Sequence, residues 1–264
     1  MGKLVEELFA SEVEMLLPLA RATACLMPPR IVGGDWSAMF EVPAGDGVAD
    51  LCAVRFARGH RDKRGGRPAI TDWTDVRVFA VLQHPDKWTS VAELAALAGL
   101  TVDGLRRGPL RRLTEAGHVR RTADGGAETE WQYSIPVTGV TAVEAKLSDW
   151  HRALVQARRH TVFADASYIA LPPRVAARAA DATEMLASSQ VGVLSVRPSG
   201  EVRVVREAPR PRRIRGWALR RMFAAERLWA LHSAGAVSGP VRHVFGRPVL
   251  ASPRDPRSSV AVLN

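Results

Sequence analysis

Apolar positions recur at helical spacing near the N-terminus and are followed by two short extended runs. Residues 4–20 place their apolar side chains on one face of a predicted helix, and Glu12 falls near the middle of that face. The runs 36–42 and 48–56 are rich in apolar residues and are separated by a turn that contains proline and glycine. The N-terminal part of the chain is therefore predicted to form one helix and two strands.

Beyond residue 136, apolar strands alternate with helices. The segment 139–147 is apolar apart from one glutamate and one lysine, a threonine and a glycine, and Ser148 is placed to cap the helix that follows. The pattern then predicts strand 167–171, a helix at 173–188, and strands 191–196 and 202–207. Such an alternation is typical of a mixed α/β sheet flanked by helices.

Between these two regions the pattern changes to short helices followed by a hairpin. Ser90 and Glu93 form a capping-box pattern ahead of an apolar run, which indicates the start of a helix. Two extended pieces flank the turn residues 124–126, as the strands of a hairpin would. This order of elements, with the Ala-Gly-Leu turn after the capped helix, resembles bacterial winged helix-turn-helix domains and implies a DNA-binding segment.

A break is predicted in the third helix of this segment. Pro109 cannot donate an amide hydrogen bond and its ring clashes with the preceding turn, so two helices are expected, 102–107 and 109–116. A broken helix is better suited to phosphate contacts than to reading bases. The candidate nucleic-acid-binding residues are Arg106, Arg107, Arg111, Arg112, Arg120 and Arg121. The alternative is a winged helix that is used for protein contacts or dimerisation.

The predicted domain organisation is discontinuous. The strands after residue 136 cannot readily close a core alone, so the first helix and the first two strands are expected to complete it. The expected parts are a core in two pieces (1–56 and 136–207), a basic linker (57–71), a winged-helix insertion (72–135) and a basic C-terminal extension (208–264).

The net charge of the chain indicates what kind of partner the protein binds. The 264 residues carry 37 Lys and Arg against 27 Asp and Glu, a net charge of +10, and only four of the cations are lysines. A basic excess of this size indicates a polyanion, and nucleic acid is favoured over a membrane because neither terminus carries a basic amphipathic anchor. A coding bias towards arginine would explain the choice of arginine but not the net charge.

Other function classes are disfavoured by composition. No run of about 18 apolar residues is present, and acids interrupt the N-terminal apolar stretch, so neither a spanning helix nor a secretory signal is expected. Two isolated cysteines argue against a zinc site or a disulfide scaffold, and the seven histidines show no ligand spacing. A cytoplasmic location is the expectation.

Candidate chemistry lies in the tripeptide Glu144-Ala145-Lys146. Alternation along a strand puts the carboxylate and the ammonium on one face, about 6.5–7 Å apart. Unpaired charges are costly on an apolar strand, and metal-dependent phosphodiester hydrolysis would explain them: carboxylates hold Mg²⁺ and a lysine positions the attacking water. Asp50, which precedes a strand, is the candidate second acid. Lysine is rare in this chain, which favours a tunable amine at position 146.

Asp50, Glu144-x-Lys146 and a following helix with Gln156 resemble the PD-(D/E)XK, or restriction-endonuclease-like, nuclease superfamily. The resemblance implies an α/β fold in which Asp50 and Glu144 are metal ligands and Lys146 is the catalytic lysine. It also implies that Gln156 and Glu12 lie beside the site. The implied cofactor is Mg²⁺, which Mn²⁺ could replace, and DNA is favoured over RNA as substrate. Members often pair to cut both strands, so a homodimer is compatible with the resemblance.

Each candidate also has a structural interpretation. Glu144 and Lys146 could form a surface pair worth less than about 1 kcal/mol. Asp50 could cap a turn, Glu12 could be a surface acid, and Gln156 could be an ordinary helix-flank residue. Glu41, on the preceding strand, is a reserve acid. The alternative function is a non-catalytic winged-helix DNA-binding protein or transcriptional regulator on a nuclease-like scaffold.

Overall fold

The computed structural model describes residues 9–22, 26, 36–43, 47–85, 90–123 and 126–234, together with the backbone of three short strands beyond residue 242. The helices are α1 (Val13–Arg21), α2 (His60–Arg64), α3 (Trp73–Leu82), α4 (Val91–Leu97), α5 (Val102–Arg107), α6 (Pro109–Glu115), α7 (Trp150–His160), α8 (Pro173–Asp181), α9 (Thr183–Ser189) and α10 (Trp217–Ser233). The strands are β1 (Trp36–Pro43), β2 (Val48–Phe56), β3 (Val119–Arg121), β4 (Ala127–Thr129), β5 (Val137–Ala145), β6 (Ala166–Leu171), β7 (Gly192–Val196), β8 (Val202–Arg206), β9 (His243–Val244), β10 (Arg247–Leu250) and β11 (Ala261–Val262).

Six strands form one mixed sheet in the order β1-β2-β5-β6-β7-β8. Strands β1, β5, β6 and β7 run in one direction, and β2 and β8 run in the other. The prediction of a mixed α/β sheet flanked by helices is confirmed. Because β2 is antiparallel to β5, with Leu51 opposite Val143, the first residues of β2 lie beside the last residues of β5.

Apolar side chains cover both faces of this sheet, because strand alternation sends successive residues to opposite sides. On one face, α1 packs its Leu16 and Leu19 against β2, β5 and β6. On the other face, α10 covers the β1-β2-β5 half and α7, α8 and α9 cover the β6-β7 half. The result is a three-layer arrangement with the sheet in the middle.

The first helix is shorter than the pattern predicts within the described residues. It begins at Val13, after the N-cap residue Glu12, and residues 1–8 lie outside the described part of the chain. The Glu14 side chain accepts a hydrogen bond from the Ala10 amide at 2.8 Å, which closes the helix start. Glu12 is therefore at a helix end, where its side chain can reach beyond the apolar face.

Residues 72–135, which lie between β2 and β5 and are here called the helical unit, contain α3 to α6 and the β3–β4 hairpin, packed around a shared apolar cluster. The predicted break is confirmed, since α5 ends at Arg107 and α6 begins at Pro109. The hydroxyl of Ser90 accepts from the Glu93 amide at 3.2 Å, as the capping pattern predicts. This unit is connected to the sheet by the end of β2 and the start of β5. These lie at the opposite end of the two strands from the first residues of β2.

Strand β5 covers Val137–Ala145 rather than the predicted 139–147, so Lys146 follows the strand. Two further helix boundaries differ from the expectations. The N-cap of α7 is Asp149 rather than Ser148, because the Asp149 carboxylate accepts from the Arg152 amide at 3.0 Å. The helix predicted at 173–188 is divided into α8 and α9 at Ala182, whose backbone leaves helical geometry. Among the described residues, no helix has both the length and the apolar character needed to cross a membrane.

The predicted basic linker and C-terminal extension contribute to the buried core. Arg64 of α2 is only 1% exposed and bonds to Glu226 of α10, so this linker cation is not available to a partner. Helix α10 packs Leu228 and Trp229 on the sheet and Met222 on the helical unit. Part of the predicted C-terminal extension therefore belongs to the core, since α10 packs against both the sheet and the helical unit.

Acid should weaken the packing of this junction through His118. Its Nδ1 accepts from the Trp131 Nε1 hydrogen at 3.1 Å and its Nε2 bonds to the Pro68 carbonyl at 3.0 Å, so a second proton would break the tryptophan bond. Burial lowers the pKa of His118 from 6.5 to about 4. The unfolded chain binds more protons between these values, so the free energy of unfolding falls as the pH drops through that window.

We expect His118 to remove about 2 kcal/mol of stability between pH 7 and pH 5. Thermal unfolding at both pH values should show a smaller pH effect for His118→Gln than for the wild type. The matched control is His84→Gln, because His84 is exposed. An unchanged pH effect in His118→Gln would contradict the assignment.

Candidate functional site

The site lies where the start of β2 meets the end of β5. Asp50 Oδ2 accepts a hydrogen bond from the Ala145 amide at 2.8 Å, which ties the two strands together at this point. The same antiparallel pairing brings Asp50 next to the Glu144-Ala145-Lys146 segment, although 93 residues separate Asp50 and Glu144 in the chain. The structure thus brings the two predicted acids and the predicted lysine together.

Lys146 is held between acids from two elements. Its Nζ donates to Glu12 Oε2 at 3.0 Å and to the Ala145 carbonyl at 2.9 Å, and it lies 3.9 Å from Asp50 Oδ2. The Lys146 side chain is 13% exposed, and those of Asp50 and Glu12 are 15% and 27% exposed. The ammonium is therefore fixed in position at a site that solvent can still reach.

Glu144 lies deeper, with a fully buried side chain. Its Oε1 is 2.6 Å from Nε2 of His160, the last residue of α7. Its Oε2 is also buried and has no hydrogen-bond partner among the described residues. A buried carboxylate oxygen without a donor is costly, so this atom is open to a proton or a cation.

Sequence reasoning missed His160, because it searched the histidines only for metal-ligand spacing. A different signal was present: Ala153, Ala157 and His160 follow one another at helical spacing, and all three are buried. A histidine in a small-residue stripe that packs on the strand carrying Glu144 is placed to bond to that carboxylate. Burial lowers the pKa of His160 to about 4, so the neutral imidazole donates to Glu144 at pH 7.

The Asp50 and Glu144 carboxyl groups are both difficult to ionise in this site. Burial and, to a smaller extent, the nearby Glu144 raise the pKa of Asp50 from 3.8 to about 7, against the opposing effects of the Ala145 amide and Lys146. Burial likewise raises the pKa of Glu144 from 4.5 to about 7, although Asp50 and Lys146 oppose the rise. The two carboxyls interact directly, and near neutral pH the pair shares a proton.

Glu41 is coupled to the same group. Burial and the charge of Asp50 raise its pKa, and Lys146 lowers it. The β1–β2 register runs without a shift from Phe40 opposite Leu51 to Val42 opposite Ala49, which places Glu41 level with Asp50, and Glu41 has a positive φ of 52°. The reserve acid is therefore electrostatically part of the cluster, which we define as Glu12, Glu41, Asp50, Glu144, Lys146 and His160 and call the acid–lysine cluster.

Gln156 is not brought into hydrogen bonding with this cluster. It lies on α7, four residues before His160, and its Oε1 is buried without a hydrogen-bond partner among the described residues. Gln156 shares the helix face of His160, but no contact with Asp50, Glu144 or Lys146 supports the role that the resemblance implies.

The six predicted nucleic-acid-binding arginines lie on the helical unit, away from the cluster. Arg106 and Arg121 are exposed and have no ion-pair partner in the described part of the chain. The other four form ion pairs with acids of the same unit: Arg107 with Asp103, Arg111 with Glu115, Arg112 with Asp75, and Arg120 with Glu128. Most of this predicted cationic surface is therefore neutralised internally.

The donor chemistry of the cluster fits a hard cation. Carboxylate oxygens are the protein ligands that Mg²⁺ prefers, and Asp50 and Glu144 supply them side by side. The unpartnered Glu144 Oε2 and the raised pKa values of both acids indicate that a full negative charge on both carboxyls would lack compensation, so a cation could take the place of the proton that the pair shares. Among the described residues, no three His, Cys, Asp or Glu side chains form a complete ligand set, so water or substrate oxygens would have to fill the remaining positions.

Known proteins give no direct guide to this site. No family model matches the chain. No curated protein is significantly similar to it. No solved structure matches it at a significant level.

Proposed function

We propose that this protein is a metal-dependent nuclease that hydrolyses phosphodiester bonds, with DNA as its substrate. The observation that carries the proposal is the convergence of Asp50, Glu144 and Lys146 at the adjoining ends of β2 and β5. Asp50, which is distant in the chain, thus meets Glu144 and Lys146, which are two residues apart, where the ends of two neighbouring strands adjoin.

The order of elements supports a restriction-endonuclease-like core. Without the helical unit, β5 is the strand that follows β2 in the chain, and it is also the neighbour of β2 in the sheet. Helix α7 then connects β5 to the parallel strand β6. An acid on one core strand and Glu-x-Lys on the next is the arrangement that the resemblance to the PD-(D/E)XK superfamily implies. As part of the same proposal, the helical unit is a winged helix inserted into this core.

In the proposed reaction, Asp50 and Glu144 would hold Mg²⁺, which when bound polarises the phosphate and balances charge that develops on its oxygens. His160 fixes one oxygen of Glu144 and leaves the other available. Glu12 holds the Lys146 ammonium in place. From this position Lys146 orients the attacking water and stabilises the negative charge of the transition state.

The alternative, a non-catalytic DNA-binding protein, is favoured by one observation. Lys146 is already ion-paired with Glu12, and Asp50 and Glu144 can share a proton, so the cluster can balance its charges without a metal. This alternative requires salt-dependent DNA binding and no cleavage with any divalent cation.

The test is DNA cleavage by wild type and Lys146→Ala, each with Mg²⁺ and with EDTA. We expect cleavage by the wild type with Mg²⁺ only, and a loss of at least about 100-fold in the variant, because a fixed charge at the transition state is removed. The matched control is Lys63→Ala, an exposed lysine of α2, which should cleave like the wild type. Undiminished metal-dependent cleavage by Lys146→Ala would show that the site is wrong, and DNA binding without any cleavage would favour the alternative.

A further inference from the structure

The positive charge of the protein is unevenly distributed. The helical unit has eight Lys and Arg against nine Asp and Glu, so this predicted DNA-binding part has a net charge of −1. By contrast, residues 208–225 contain six arginines and no acid. Since phosphate contacts depend on uncompensated positive charge, the helical unit is a poor candidate for the main polyanion contact.

Four of these arginines are grouped in the segment before α10. Arg210, Arg212, Arg213 and Arg215 are exposed, and none of them has an ion-pair partner in the described part of the chain. This contrasts with the helical unit, where four of the six predicted arginines are paired with acids. The segment therefore presents its charge to solvent without internal compensation.

An aromatic side chain organises one side of this group. The Arg213 guanidinium lies 4.8 Å from the ring centre of Trp217, and the Trp217 Nε1 hydrogen has no acceptor among the described residues. Arg210, Arg213 and Trp217 line a shallow cleft together with Asp165. Asp165 is bonded to the buried Arg221 at 2.6 Å, so its charge does not cancel that of the exposed arginines. Since the Trp217 Nε1 atom is buried, the cleft offers an anion the exposed guanidinium donors, and the indole ring supports Arg213.

We propose that Arg210, Arg212, Arg213 and Arg215, with Trp217, form the surface that binds the phosphate backbone of nucleic acid. The guanidinium group presents parallel N–H donors that match phosphate oxygens, which explains the use of arginine here. The identity of the polyanion rests on the proposed function. The surface itself rests on the distribution and pairing of charge.

The distance between this surface and the acid–lysine cluster determines the direction in which a bound nucleic acid must run. Asp165 accepts from the Val140 amide at 2.9 Å, so the cleft lies near the first half of β5, whereas Glu144 lies at its end. Four strand residues span about 13 Å, which corresponds to about four base pairs of duplex. A duplex bound to the arginines would therefore have to extend along the sheet to reach the carboxylates.

The test compares two triple variants of the full chain by fluorescence anisotropy with a labelled DNA duplex in EDTA. For Arg212→Gln/Arg213→Gln/Arg215→Gln we expect binding that is about 10- to 100-fold weaker, with the slope of log K against log salt reduced by about 2 to 3. The matched variant Arg106→Gln/Arg107→Gln/Arg121→Gln should weaken binding less than about threefold, because that unit has no net positive charge. Thermal unfolding should leave both variants folded, since all six side chains are exposed.

The opposite pattern, in which the helical-unit variant has the larger loss or the smaller salt slope, would overturn the assignment. Wild-type protein that binds anionic phospholipid vesicles but not the duplex would also overturn it. Because EDTA prevents metal-dependent cleavage, duplex binding is measured independently of the proposed nuclease reaction. Loss of cleavage in Lys146→Ala with unchanged duplex binding would support both proposals separately.

Discussion

Replacing Glu144 by glutamine is expected to abolish metal-dependent cleavage while it stabilises the protein at alkaline pH. Glutamine keeps the size of the side chain and can still bond to His160, but it removes the negative charge from the buried Oε2. A carboxylate ligand and the metal that it helps to hold contribute several kcal/mol to the transition state, so cleavage should fall by at least about 10³-fold.

The stability gain follows from the raised pKa of Glu144. The folded protein holds a proton on this carboxyl up to about pH 7, whereas the unfolded chain releases it near pH 4.5. The folded state thus binds more protons in this window, and the free energy of unfolding decreases as the pH rises through it. Glutamine removes this penalty, so the variant should gain about 3 kcal/mol at pH 8 but only about 1 kcal/mol at pH 5.

Three measurements separate these effects: cleavage with Mg²⁺, calorimetric titration with Mg²⁺, and denaturant unfolding at both pH values. The variant should lose cleavage and Mg²⁺ binding together. Glu184→Gln is the matched control, because Glu184 is exposed on α9 and should leave all three unchanged. Retained cleavage would contradict the metal-ligand role, and a lower stability at pH 8 would contradict the burial of an uncompensated charge.

Arg64→Ala is expected to destabilise the protein by about 3 to 5 kcal/mol, the largest effect that we expect outside the acid–lysine cluster. The Arg64 guanidinium donates to both oxygens of Glu226, at 2.9 and 2.7 Å, and to the Arg67 and Pro68 carbonyls. The side chains of Arg64 and Glu226 are 2% and 0% exposed. Removal of the guanidinium leaves a fully buried carboxylate without its counter-charge, and the Ile70 amide, at 2.7 Å, is a neutral donor that cannot replace that charge.

The same geometry predicts that the double variant Arg64→Met/Glu226→Met recovers most of the loss. Methionine fills a similar volume without a charge, and replacing both members of a buried pair avoids the cost of an unpaired ion. Denaturant unfolding of the two single variants and the double variant gives the coupling energy between them. A double variant as unstable as the sum of the single variants would contradict a buried, coupled pair.

An exposed pair on the helical unit provides the reference for this experiment. Arg107 lies 2.9 Å from Asp103, and their side chains are 81% and 68% exposed. Because solvent screens such charges, Arg107→Ala should cost less than about 1 kcal/mol. The contrast between the two arginines tests whether burial, and not the ion-pair distance, determines the contribution to stability.

Local patterns were sufficient for most of the secondary structure. Strand alternation, capping residues and the proline at position 109 act over a few residues, and they predicted β2, the cap of α4 and the break between α5 and α6. The division of the helix after β6 at Ala182 was not predicted, because no proline or glycine marks it. In the structure, Arg206 of β8 bonds to Thr183 at 3.0 Å beside this break, and that contact comes from a distant strand.

In the site, too, local patterns predicted single residues, whereas long-range contacts determined how those residues are arranged. Asp50, Glu144, Lys146 and Glu12 were predicted individually from their places on elements, but their mutual distances depend on which strands pair. The bond between Glu144 and His160 became visible only in three dimensions, because it joins a strand to the far end of the next helix. The same is true of the partnerless Glu144 oxygen.

The sequence by itself determined most of the elements, the identities of the acid and lysine residues that meet where β2 and β5 adjoin, and the net charge of +10. Only the tertiary structure decided which of the cations are available. It buried Arg64 against Glu226, paired most of the predicted arginines of the helical unit with nearby acids, and left the arginines before α10 exposed. The physical reason is that composition counts charges, whereas burial and ion pairing depend on contacts between residues that are distant in the chain.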